Sequence, residues 1–71
     1  MRVSTVVGDV AYEDTKKLSD IVVTVNGNVV ENVITADDDG TYGFVLHYNP
    51  LHFGGRETLY GYVKIDYTEK S

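Results

Sequence analysis

The 71-residue sequence predicts an all-β fold, a small antiparallel five-stranded meander that forms a barrel or a two-layered sheet. Three observations predict it. Apolar residues recur with a period of two and never sustain the 3.6-residue spacing of a helical stripe. β-Branched residues gather in short runs, where their stiff side chains suit a pleated surface. Between the runs stand Asn26-Gly27, Asp37-Asp38-Asp39-Gly40 and Gly54-Gly55, all residue types that turn a chain.

Taken in order, residues 2–7 read as a strand and residues 8–19 as a loop, in which Asp14 offers a cap for a short helical segment. Residues 20–25 are the clearest strand, with Ile21, Val23 and Val25 on one face and Val22 and Thr24 on the other. Asn26-Gly27 follows directly. A two-residue type I′ turn needs positive φ at both central positions, which asparagine and glycine accept, so residues 28–35 return as the second arm of a hairpin. The aspartate run and Gly40 make the next turn into a strand at residues 41–48. There Tyr42, Phe44, Leu46 and Tyr48 form a heavy aromatic face, alternating with Gly43, Val45 and His47, which puts His47 on the solvated side. Residues 49–56 read as a loop. Residues 57–67 close the fold as one long strand, Leu59, Val63, Ile65 and Tyr67 on one side and Tyr60, Tyr62, Lys64 and Asp66 on the other.

Size and composition narrow the function. Residues 1–71 make one domain, since a second core needs roughly another 50 residues. The cost of ordering so short a chain nearly cancels the gain from burial, and small domains offset the difference with disulfides, a metal or a partner subunit. No cysteine is present, so disulfides and thiolate zinc sites are ruled out and a homo-oligomer is expected. No stretch resembles a signal-peptide core or a membrane span, and the expected setting is the cytoplasm of a host cell or an assembled virion. Eleven acidic against six basic residues give a net charge of −5, and Lys16-Lys17 is the single basic pair, so direct nucleic-acid binding is not expected.

The residues that carry chemistry are few. The oxygen ligands of Asp37 and Asp39 are the candidates for a hard cation, but an EF-hand register puts Leu46 where a bidentate glutamate belongs, and the run reads as a solvated turn. His47 and His52 are the two histidines, separated by Pro50 and without a fixed common face. Gly54-Gly55-Arg56 offers an anion nest but lacks the helix that makes phosphate loops specific, and reads as a hairpin tip. No nucleophile stands in a recognisable activating motif, so no cofactor and no catalysis are expected. Tyr60, Tyr62 and Lys64 are the expected interface residues, because tyrosine offers rigid amphipathic contact area at little entropic cost.

Two resemblances attach to these segments. Val22 to Val30 with its central Asn26-Gly27, then Val33-Ile34-Thr35-Ala36-Asp37-Asp38, then Glu57 to Ile65 with Leu59-Tyr60-Gly61-Tyr62, resemble a group of short uncharacterised proteins of tailed phages and prophages. The shared features are a V-x-V-x-G-x-x-V hairpin, an A-D turn and a terminal L-Y-G-x-V-x-I strand. That resemblance covers about two thirds of the chain. It implies a non-enzymatic accessory protein that contacts a phage structural protein or a host protein. Gly8-Asp9-Val10, Leu18 to Val23 and Asp38-Asp39-Gly40-Thr41-Tyr42-Gly43-Phe44 are also similar to carboxypeptidase-regulatory-like β-sandwich modules. This second resemblance implies an extracellular module linked to calcium or carbohydrate. A third expectation rests on charge alone: an acidic mimic of nucleic acid that occupies a basic groove on a host defence protein.

Overall fold

The computed structural model describes residues 1–38 and 42–70. Its strands are β1 (Arg2–Ser4), β2 (Leu18–Val25), β3 (Asn28–Val30), β4 (Val33–Asp37), β5 (Gly43–Tyr48), β6 (Arg56–Gly61) and β7 (Val63–Glu69). One helical turn, α1 (Tyr12–Thr15), follows β1, and a 3-10 turn (Phe53–Gly55) precedes β6. All pairings are antiparallel. The first sheet has the order β1-β4-β5-β6 and the second the order β3-β2-β7.

The all-β class and the two layers match the expectation from sequence, but the described residues form seven strands in place of five and no closed barrel. Two of the expected strands are each cut in two where the chain passes from one sheet to the other, the way corners of packed sheets are made. The first cut is Glu31-Asn32, where Asn32 takes a φ of 57° between β3 and β4. The second is at Tyr62, between Gly61 at the end of β6 and Val63 at the start of β7. Local alternation runs unbroken through the second corner, from Leu59 to Ile65, and no proline or glycine marks the first, which is why the sequence reads as continuous strands there.

Asn26 and Gly27 have φ values of 51° and 84°, the positive pair a type I′ turn needs, and Val25 pairs with Asn28 across it. The stretch at residues 8–19 is more ordered than a loop. Asp9 accepts the Ala11 N–H at 2.9 Å and starts α1, whose packing against β1 covers Ser4. Asp14 lies inside this turn and does not cap it, and no side chain caps its start.

Val3, Val23, Val25, Ala36, Val45, Val63 and Ile65 form the core between the sheets. The sequence expectation for β5 is therefore inverted. Val45 is fully buried and Gly43 lies inside with it, while Tyr42 and Tyr48 are exposed and Phe44 and Leu46 are half-buried on the outer face. The gap between the two sheets is filled by valine, isoleucine and alanine, and at Gly43 a Cβ would collide with the Asp37 carbonyl oxygen. Aromatic rings have no room on that side.

Candidate contact surface

The residues turned away from the core on the first sheet form rows across its strands. Register places Arg2 opposite Asp37, Asp37 opposite Phe44, and Phe44 opposite Tyr60. Two further pairs follow along β5 and β6, Leu46 with Thr58 and Tyr48 with Arg56. The Arg2 guanidinium stands 5.6 Å over the Phe44 ring, a cation–π contact, and is itself held by Asp9 at 2.8 Å and by Asp37 at 3.8 Å. These carboxylates keep the Arg2 guanidinium firmly protonated. In return the hydrogen bonds from Arg2, and then from the Ala11 N–H, hold the Asp9 carboxyl below its ordinary range.

Tyr60 is 62% exposed beside the half-buried Phe44, and Tyr42 and Tyr48 are exposed too. Together they make an apolar and aromatic face on the outside of the first sheet, with β6 as its edge strand. Of the expected interface residues, Tyr60 sits on this face. Tyr62 lies at the corner, where its N–H donates to the Asn26 Oδ1 at 3.0 Å and its carbonyl accepts the Asn26 N–H at 2.8 Å. Lys64 is beyond the corner on the second sheet, opposite Thr24, with its Nζ 3.9 Å from Asp66. The structure therefore joins Tyr60 to Phe44, a partner the sequence reading assigned to the heavy face of β5 without linking it to Tyr60.

A second cluster closes the end of β5 and β6. The His47 Nε2 lies 2.9 Å from the Glu57 Oε1, its cross-strand partner, and the His52 Nε2 lies 4.0 Å from the Glu57 Oε2. The Asn49 Nδ2 donates to the Glu57 Oε1 at 3.4 Å. With His47 and Asn49 as its leading hydrogen-bond partners, the Glu57 carboxyl sits below its ordinary range. Two sequence expectations are corrected here: the His47 side chain is only 13% exposed and not on the solvated side, and the histidines converge on one carboxylate. Proline breaks a strand but does not stop a hairpin from folding its two ends together, so the residues on either side of Pro50 meet at Glu57.

Asp37, one of the two cation candidates, ends β4 and neighbours Arg2; Asp39 lies outside the described residues, as do Gly40 and Thr41. Among the described residues no group of three or more histidines and carboxylates is placed to hold a metal ion. Gly54 and Gly55 both have positive φ, 81° and 74°, not the alternating hand of a nest, and the Gly55 N–H is used within the loop, on the His52 carbonyl at 2.9 Å. No helix among the described residues is long and apolar enough to cross a membrane. No protein-family model, no curated protein and no solved structure matches the chain.

Proposed function

We propose that the chain is a small non-enzymatic phage or prophage accessory protein that works by protein–protein contact, and that the outer face of its first sheet joins two copies. The observation that supports this reading is the Phe44–Tyr60 pair at the centre of that face, flanked by Leu46, Tyr48 and Arg56, with Tyr62 at the adjoining corner. Tyrosine and arginine are enriched where proteins meet, and contiguous aromatic surface is costly to leave in water. A short chain without disulfides also has little stability in reserve, and a second copy on this face buries apolar surface that the two thin layers leave outside.

Sedimentation equilibrium across a range of concentrations tests it. The expected result is a dimer that dissociates on dilution, and a Tyr60→Ala/Tyr62→Ala double variant that stays monomeric with unchanged far-UV circular dichroism. Truncating central interface aromatics commonly costs about 2 kcal/mol or more of association. A wild-type chain that remains monomeric at high micromolar concentration overturns the two-copy contact.

A further inference from the structure

We propose that His52, held between Glu57 and the Phe53 carbonyl, is a proton-operated latch that fixes the loop segment carrying Leu51 and Phe53. The His52 Nδ1 lies 3.2 Å from the Phe53 carbonyl oxygen and its Nε2 faces the Glu57 carboxylate at 4.0 Å. Both partners are acceptors. A neutral imidazole that donates to the Phe53 carbonyl turns its lone pair on Glu57; the imidazolium keeps that hydrogen bond and sets a positive charge 4.0 Å from the carboxylate, an ion pair in place of a lone-pair repulsion. The proton therefore ties the loop backbone to β6.

His47 behaves differently. Its Nε2 sits at hydrogen-bond distance from Glu57 and donates in the neutral tautomer as well, so that contact does not need a charged ring. Asn49 adds a second proton-independent anchor: its Oδ1 accepts the Leu51 N–H at 3.1 Å, and its N–H donates to the Gly55 carbonyl at 2.9 Å. The charged group that faces His52 is Glu57 from β6, whose other oxygen bonds His47 from β5; Arg56 is the next residue along β6 and is exposed.

What the latch controls is the placement of the two residues on either side of His52. Leu51 is 95% exposed and Phe53 is 100% exposed, the two most exposed large apolar residues described. Protonated, His52 holds them in one arrangement. Deprotonated, it releases the Glu57 contact and leaves the tip to Asn49 and the backbone bonds of the loop.

Amide hydrogen exchange followed by NMR at about pH 5.5 and about pH 8, corrected for intrinsic exchange rates, tests this on the isolated chain. The reporters are the His52 N–H, bonded to the Asn49 carbonyl at 3.0 Å, and the Gly55 N–H, bonded to the His52 carbonyl at 2.9 Å. Their protection is expected to be about 2- to 5-fold greater at the lower pH, the size a half-exposed ion pair gives. Amides of the β2–β7 ladder serve as the unchanged reference. Glu57→Gln keeps an acceptor for His47 but removes the charge, and His52→Gln removes the titrating ring; either variant abolishes the difference, whereas His47→Gln retains it. Equal protection at the two pH values in the wild-type chain, or a difference that survives in Glu57→Gln or His52→Gln, overturns the latch.

Discussion

Gly43 and Gly61 face each other across β5 and β6, both buried, at the corner where the first sheet hands its edge strand to the second. Each is glycine for a separate steric reason. A Cβ on Gly43 would collide with the Asp37 carbonyl oxygen and stand 3.2 Å from the Val63 Cγ2. One on Gly61, where φ is 155°, would stand 2.6 Å from the Asn26 Nδ2, the side chain that also holds the Tyr62 N–H.

Gly43→Ala and Gly61→Ala are each expected to lower stability by about 1–3 kcal/mol, with Gly43→Ala the worse of the two. Its obstacle is backbone, the Asp37 carbonyl at the end of the β4–β5 ladder, whereas the Asn26 amide can rotate away at the cost of its bond to Tyr62. Denaturant midpoints measured on both variants check the order.

Ser4 and Thr35 form a buried hydroxyl pair at 3.0 Å, and the Ser4 Oγ also accepts the Val6 N–H at 3.0 Å. Ser4→Ala leaves two polar groups without that partner and is expected to cost about 1–3 kcal/mol. Adding Thr35→Val removes one of the stranded groups. The double variant should therefore lose less than the sum of the single losses, by about 0.5–1.5 kcal/mol in a double-mutant cycle.

Asp9 and Glu57 both titrate below their ordinary values of 3.8 and 4.5 in the folded chain. A carboxyl whose folded pKa is depressed adds stability that is present above its unfolded pKa and is lost as pH falls through the folded value. The protein should therefore weaken progressively in acid below about pH 4.5, with Asp9→Asn flattening the lower part of that slope. Thermal melts recorded from neutral to strongly acidic pH, on wild type and variant, read the effect directly.

Val45→Ala, which removes two methyl groups from a fully buried site, is expected to cost about 1.5–3 kcal/mol at dilute concentration. Tyr42→Ser on the opposite side of the same chain segment should shift stability by no more than about 0.5 kcal/mol. Equal losses at the two positions would contradict the assignment of the small-residue face to the core.

Much of the local structure is determined by adjacent residues. Asn26-Gly27 turns the chain because only a few residue types accept positive φ twice in succession, and the grouping of Tyr60, Tyr62, Lys64 and Asp66 on one side is legible from alternation alone. Alternation separates two faces but does not say which one another sheet will cover. For β5 that choice depended on the narrow gap between layers, which admits Gly43 and Val45 and leaves Phe44 and Tyr48 outside. The corners at Asn32 and Tyr62 were hidden for a related reason: a strand changes sheets because of the neighbours it meets, and those neighbours lie far away in sequence. The meeting of His47 and His52 at Glu57 belongs to the same class, set by the β5–β6 register and the fold of the intervening loop. Turns and periodicity were decided by side-chain sterics within a few residues; the buried face, the sheet corners and the histidine–glutamate cluster were decided by long-range packing, which no local pattern encodes.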